Sequence, residues 1–271
     1  MKAVVLAAGV GRRFGRRTRR LPKCLIPLDR RGTTLLGRYL DAFRGAGVRE
    51  AVIVVGHLEG LIRSACARHG RGLRIRFVRN PRYREGSVLS LHAARKELDG
   101  PAVVMDADVF FPAAALARLV RSKKASAFLL DRRSKSSGEE MVLMAKGKRL
   151  WSISKTLDPR LKPVGEATGI VKFARADARL LRSILAEFVR NKITGVEYEE
   201  AYAELLKRRR IGCETTEGFF WTEMDFEEDL KRIRKYLRAH PEPGPEAPGR
   251  HRGGRRDHRA RGPRRPRPAR R

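Results

Sequence analysis

Apolar residues recur along the chain in two alternating rhythms. Continuous runs of Val, Ile, Leu and Ala at 3–7, 50–56 and 101–106, and an alternating run at 73–78, predict strands, most of them buried. Between them apolar positions fall three or four residues apart. At 34–46 the set Leu35, Leu36, Tyr39, Leu40 and Phe43 marks one helix face, which ends at Gly45 and Gly47. Residues 58–69, 87–98 and 112–121 predict further helices. Such alternation predicts a mainly parallel sheet with helices on both faces. From about residue 125 the rhythm shortens, with strands expected at 127–130, 141–145, 150–154 and 169–173 and helices at 176–188, 198–207 and 227–238. This half reads as a sheet extension plus a substrate-binding cap. One domain is expected over residues 1–240, with a nucleotide-binding half at 1–124 and an acceptor-binding half at 125–240.

The charge pattern changes this picture at one end. The 271 residues carry a formal charge of +32. Residues 241–271 hold eleven Arg against three acidic residues, a net +8, and are otherwise rich in Pro and Gly. A segment so poor in apolar side chains cannot offset its ordering entropy, so it is expected to be a disordered tail. The remaining positive charge is spread along the chain, as at Arg16, Arg17, Arg19 and Arg20. It reads as solvated surface, with weak polyanion or anionic-membrane contact through the tail. No run of eighteen apolar residues suggests a membrane span, and the N-terminal apolar run reads as a strand, not a targeting peptide. Cys24, Cys66 and Cys213 are odd in number, far apart and without metal-ligand spacing, which points to a reducing cytoplasm.

Candidate chemistry concentrates in a few segments. The first strand runs into Leu6-Ala7-Ala8-Gly9-Val10-Gly11-Arg12-Arg13, followed by Lys23 within Leu21-Pro22-Lys23-Cys24-Leu25-Ile26-Pro27. Glycines let backbone N–H groups approach phosphates closely, and Arg and Lys add cations for a triphosphate. The third glycine, Gly15, stands one residue too far for GxGxxG, and no GxxxxGK[ST] occurs. Asp106 and Asp108 follow a buried strand, the end at which open parallel sheets bind ligands. They share a side if that strand continues, and carboxylate oxygens suit Mg²⁺. Trp221, Glu223, Asp225 and Asp229 form a second acidic segment. Asn80-Pro81 is a turn signal, and Gly86-Ser87 opens a helix whose free N–H groups can read a base or a phosphate.

The full pattern LAAGxGxR…PKxLxP resembles the nucleoside triphosphate transferase family, which includes sugar-phosphate nucleotidyltransferases and cytidylyltransferases of phosphocholine, 2-aminoethylphosphonate and inositol-1-phosphate type. The resemblance runs from Lys2 to about Tyr236. It implies a Rossmann-like, mainly parallel mixed sheet of the nucleotide-diphospho-sugar transferase kind. It implies that Leu6, Ala7, Ala8, Gly9 and Gly11 cradle the nucleotide, and that Arg13 and Lys23 meet its phosphates as catalytic cations. Asp108 and Asp225 match the family's Mg²⁺ ligands; Asp106 matches a nucleotide-side residue that either contacts the site or fixes its loop. Asn80, Gly86 and Ser87 match the stretch that faces the nucleobase in the cytidylyltransferase branch, with Ser87 alternatively a plain helix cap. Sugar nucleotidyltransferases differ in this stretch, which favours CTP. Acceptor-binding candidates are Lys155, Glu166, Tyr198, Glu199 and Trp221. Lys155 is alternatively surface, and Tyr198 and Trp221 alternatively core.

The expected activity is therefore Mg²⁺-dependent transfer of CMP from CTP to a small phosphorylated or phosphonylated alcohol, with release of pyrophosphate, by a monomer or homodimer. The alternative within the family is a sugar-1-phosphate nucleotidyltransferase using UTP, dTTP or GTP. An NAD(P)- or flavin-binding oxidoreductase is disfavoured by the missing third glycine and by Pro22-Lys23. A stable nucleic-acid partner is not expected, since no recognition motif for one occurs.

Overall fold

The computed structural model describes residues 1–134 and 138–241. The segment expected to be a disordered tail lies, from residue 242 on, outside the described residues. Strand β1 (Lys2–Ala7) leads through a one-turn-at-a-time 3₁₀ segment (Arg12–Arg19) and a short second one (Lys23–Leu25) into α1 (Leu35–Gly45). Then come β2 (Glu50–Val55), α2 (Glu59–His69), β3 (Arg74–Arg79), α3 (Val88–Ala93), β4 (Ala102–Asp106), β5 (Val109–Phe110) and α4 (Ala113–Arg121). The second half contributes β6 (Ala127–Asp131), β7 (Val142–Lys146), β8 (Arg149–Ser154), β9 (Lys162–Phe173), α5 (Arg175–Arg190), α6 (Glu199–Arg208), β10 (Gly212–Thr215), β11 (Thr222–Glu223) and α7 (Glu227–Ala239).

The main sheet runs β10-β6-β9-β4-β1-β2-β3, with β7 and β8 attached beside β9. β4, β1, β2 and β3 are mutually parallel; β9 lies antiparallel to both β4 and β6. The expected mixed α/β fold with a largely parallel central sheet is what the chain adopts. Alternation within β1 explains the two-sided core. Ala3, Val5 and Ala7 pack with α1, α2, α4 and α7 on one face, through Phe43, Ile62, Leu116 and Ile233. Val4 faces the other way, into a cluster with Leu89 of α3, Leu185 of α5 and Tyr202 and Leu205 of α6.

Chain order places the functional crevice. From β1 the chain builds outward through β2 to β3, then returns to lay β4 on the other side of β1. The carboxyl ends of β1 and β4 flank this reversal, and connections diverging from such a point leave an open cleft. The glycine loop follows β1, and Asp106 ends β4. Three short strands, β5, β10 and β11, escaped the sequence pattern because two to four residues show no period. β9 begins seven residues earlier than its apolar run at 169–173 suggested, because its first half is only partly buried. It bends at Gly169, where φ is +70° and a Cβ would lie 2.6 Å from the Asp106 carboxylate.

Candidate active site

The glycine loop is held rigid from behind. Gly11 has φ of +67°, which favours glycine. A Cβ there would press on Thr18 at 3.2 Å and on Lys23 Cε at 3.4 Å, so the lysine stem lies against the loop. The Thr18 hydroxyl reaches the carbonyl oxygens of Gly11 and Gly15, at 2.9 and 3.0 Å. His57 closes the loop from the end of β2: its backbone N–H donates to Ala8 O at 3.1 Å, and its Nε2 lies 2.8 Å from Thr18 O. Thr18 and His57 were not singled out by the motif. Burial of Thr18, with Phe14, inside an Arg-rich stretch is a property of the fold alone.

In front of this loop a cavity of about 250 Å³ is lined by Leu6, Ala7, Gly9, Gly11, Arg13, Lys23 and Asp108 among others. Ala8 is buried beneath it. Lys23 Nζ sits 2.8 Å from Asp108 Oδ2 and 2.6 Å from Asp225 Oδ1. Arg13 reaches the other oxygen of Asp225 at 2.8 Å. Residues from three distant stretches thus meet at one point. Lys23 and Asp225 are largely buried there, while Asp108 stays one-third exposed and Arg13 half exposed. Burial opposes the lysine's charge, but Asp108 and Asp225 outweigh it and raise its pKa, so Lys23 is a stable cation at neutral pH. Asp225 is aimed by α7: the Asp229 carboxylate accepts the backbone N–H groups of Asp225 and Phe226 at 3.0 and 2.8 Å. The neighbouring Cys24 thiol is pushed up to about 12 by burial, which leaves it no role as a nucleophile.

Asp106 and Asp108 do not share a wall as continuous strand would require, because β4 stops at Asp106. Asp108 turns to Lys23, whereas Asp106 accepts a hydrogen bond from the Tyr198 hydroxyl. Burial first, then Asp108 and Glu199, raise Asp106 well above the usual carboxylate range. Glu199 is pushed up to about 7, chiefly by burial. Glu223 is exposed to solvent, yet the surrounding cleft walls desolvate its carboxyl, and this, then Asp108, Asp225 and Glu166, push it up to about 8. The cleft therefore gathers carboxyl groups that desolvation and one another hold toward the protonated form.

The base-side candidates do not line the cavity. Asn80 is buried: its amide donates to Ser90 Oγ at 3.0 Å and accepts from the Arg82 N–H at 2.9 Å, so it builds the turn. Gly86, with φ of +110°, packs where a Cβ would lie 2.3 Å from Thr194 O. The Ser87 hydroxyl donates to Glu197 and accepts from the Tyr198 N–H at 2.9 Å, and makes no cap bond to α3. Gly86 and Ser87 pack against the loop before α6, and Ser87 thereby positions Tyr198.

Acceptor-side candidates divide. Tyr198 is buried and stacks edge-on to Tyr202, so its ring offers no open face. The Trp221 indole N–H is committed to Asp131 at 2.7 Å. Lys155 lies at the surface, 3.4 Å from Glu139, yet near enough to Glu199 to oppose its rise. Glu166 is raised, chiefly by burial, and lines a second cavity of about 190 Å³ with Arg132 and Glu140. Asp131 is an anchor that no sequence motif marked.

Among the described residues no group of three or more His, Cys, Asp or Glu side chains converges as a metal cage. The Asp108–Asp225 pair nevertheless fits a hard divalent cation. Its oxygens already converge on a single cation, the Lys23 ammonium, and Mg²⁺ commonly takes only one or two carboxylates with substrate phosphates and waters completing its shell.

The chain is similar to known proteins. The family model of the MobA-like NTP transferase domain matches residues 3–196. A CMP-5'-(3-aminopropyl)phosphonate synthase of Streptomyces rubellomurinus is 38% identical over 133 residues, 49% of this chain and 21% of that protein. A bifunctional IPC transferase and DIPP synthase of Thermococcus kodakarensis is 27% identical over 240 residues, 87% of this chain and 50% of that protein. The chain thus spans a fifth to a half of the length of these relatives. A CTP:phosphocholine cytidylyltransferase structure from Streptococcus pneumoniae superposes with a TM-score of 0.69 at 19% identity, over 87% of this chain and 98% of that one, which shows the shared fold. With the glycine loop, Lys23 and the two facing aspartates on one crevice, and a family model spanning most of the described chain, this protein belongs to the MobA-like NTP transferase family.

Proposed function

We propose that this chain is a Mg²⁺-dependent cytidylyltransferase that moves CMP from CTP to a small phosphorylated or phosphonylated alcohol bearing a cationic amine. The observation that carries this reading is the meeting of Lys23, Asp108 and Asp225 beside the glycine-loop cavity. In the reaction an acceptor oxygen attacks the α-phosphorus of CTP in line. The bond from that phosphorus to the bridging oxygen breaks, and pyrophosphate leaves with the bond's electrons. The acceptor is already a dianion near pH 7, its second pKa being about 6, so no side chain need remove a proton. Catalysis is then positioning and charge neutralisation.

Backbone N–H groups at Gly9 and Gly11 would face the triphosphate, and Arg13 and Lys23 would neutralise it. Mg²⁺ between Asp108 and Asp225 would supply a Lewis acid for the reacting phosphates. The cluster of carboxyl groups at Asp106, Glu199 and Glu223, which a bound cation would help to ionise, supports an acceptor with a cationic head group over a neutral polyol, as does the name of the aminopropylphosphonate relative. The choice of CTP rests on the likeness of residues 80–91 to the cytidylyltransferase branch and on the CMP product of the Streptomyces relative.

A pyrophosphate-release screen tests the reading. It crosses CTP, UTP, dTTP, ATP and GTP with phosphocholine, 2-aminoethylphosphonate, inositol-1-phosphate, glycerol phosphate and glucose-1-phosphate. The expected result is CTP preferred by about 10- to 100-fold in kcat/KM, the worth of one unsatisfied buried polar group, with an amine-bearing acceptor. Equal or better turnover with UTP or dTTP and the sugar phosphate would return the chain to the sugar-1-phosphate branch.

A further inference from the structure

We propose that Lys23 is a latch on the metal site: in the free protein its ammonium holds the place between Asp108 and Asp225 that the divalent cation takes, and it passes to the triphosphate only when metal and nucleotide arrive together. The inference rests on the reading of Asp108 and Asp225 as metal-binding, and goes beyond it by setting the conditions under which they are free to bind.

The geometry supplies the argument. Lys23 Nζ is within 2.8 Å of both carboxylates at once, and Arg13 takes the remaining oxygen of Asp225 at 2.8 Å. A cation bound by Asp108 Oδ2 and Asp225 Oδ1 would share its volume and its ligand atoms with the ammonium. The four side chains are charge-balanced, two carboxylates against two cations. A divalent cation entering alone would crowd four positive charges, its own two with those of Lys23 and Arg13, around the Asp108 and Asp225 carboxylates, in a partly buried setting where like charges repel strongly.

A triphosphate reverses that balance. The lysine stem lies along Gly11, so Nζ reaches the glycine-loop cavity by rotation about its terminal bonds while the backbone stays in place. Arg13, half exposed, lines the same cavity. Phosphate oxygens in this space offer both cations new partners as the carboxylates are surrendered. Metal and triphosphate therefore bind with positive coupling, and by linkage each raises the affinity for the other equally.

The test is Mn²⁺ binding to the nucleotide-free full chain, read from the electron paramagnetic resonance of free Mn²⁺. The wild type is expected to bind weakly and Lys23→Met more tightly by about ten-fold or more, within the usual range of coupling between sites. Lys23→Met combined with Asp108→Asn is expected to lose that gain. Equal or weaker binding by Lys23→Met, no binding by either protein, or a gain that survives loss of Asp108 would each overturn the latch. A second measurement needs no neutral variant. In the wild type, the ¹⁵N–¹H signal of the Lys23 ammonium, assigned by its loss in Lys23→Arg, should stay in place when Mg²⁺ is added alone and shift when Mg²⁺ and CTP are added together. A shift with Mg²⁺ alone, or none with both, counts against the proposal. Failure of the pyrophosphate screen beside a confirmed Mn²⁺ gain would remove the cytidylyl reading and leave the latch standing; the converse would remove only the latch.

Discussion

Lys23 is three residues beyond an Arg pair and one beyond a proline, yet its partners lie 85 and 202 positions away. Its charge is held by the two aspartates, so each of the three depends on the others. Asp108→Ala and Asp225→Ala should each lower CMP transfer by about 100-fold or more, the usual scale for losing a group that stabilises charge in a transition state. Circular dichroism should show the fold retained; either variant keeping near-wild-type turnover in saturating Mg²⁺ would remove the aspartate pair from the mechanism. Lys23→Ala should depress kcat more than it raises KM for CTP, because its charge is most needed as the leaving pyrophosphate forms. A large rise in KM at unchanged kcat would limit it to ground-state binding.

Glu223 allows a separate residue-level test that involves no catalysis. A carboxyl whose folded-state pKa lies above its unfolded one holds its proton more tightly when folded. Its favourable contribution is intact below the ordinary carboxylate range and is lost as pH rises toward the folded value, here about 8. In metal-free buffer Glu223→Gln should therefore match the wild-type Tm near pH 4, about the unperturbed glutamate pKa, and exceed it near pH 8. A Tm difference that does not vary across this range would show that Glu223 titrates normally.

At the scale of elements, Gly86 sets how closely two segments approach, and Gly147 offers the contrast of a strained but open position. Gly86 and Gly147 both have positive φ, at +110° and +61°. A Cβ at Gly147 meets nothing, whereas one at Gly86 would lie 2.3 Å from a backbone oxygen of Thr194. Gly147→Ala should cost about 1 kcal/mol, from backbone strain alone. Gly86→Ala should cost more than twice as much and also loosen the Ser87–Tyr198 tie. Urea unfolding checks both; equal losses would show that the loop before α6 yields freely. The polar groups of the base-side candidates have partners within the fold: the Ser87 hydroxyl is tied to the residues before α6, and the Asn80 amide to Ser90 of α3 and to its own turn.

For the whole molecule, charge is the dominant feature. With 62 Lys and Arg against 30 Asp and Glu, ion pairs can neutralise less than half of the cations. Self-repulsion should therefore weaken the folded state at low ionic strength. Raising salt from about 10 mM to about 150 mM shortens the Debye length from about 30 to about 8 Å, and the Tm of the full chain should rise. A fall in Tm would mean that the surface ion pairs, such as Arg82–Glu85 and Arg74–Glu50, outweigh the net repulsion.

The sheet's parallel half was legible in the chain, through continuous apolar strands that only double-sided burial makes favourable. The sequence also marked the residues that line the glycine-loop cavity, because a glycine loop, an Arg and a Lys at fixed local spacing require no knowledge of distant contacts. Tertiary structure alone decided the rest. Whether Asp106 and Asp108 act together depended on where β4 ends, a matter of pairing with β9 and of the bend at Gly169. Whether Tyr198, Trp221, Asn80 and Ser87 were ligands or framework depended on the partners that folding delivered from 10 to 111 residues away. Local pattern encodes which face of an element is buried; it does not encode which polar groups will find each other across the core. For this protein that second question decided which polar candidates line the crevice and which are bonded elsewhere in the fold.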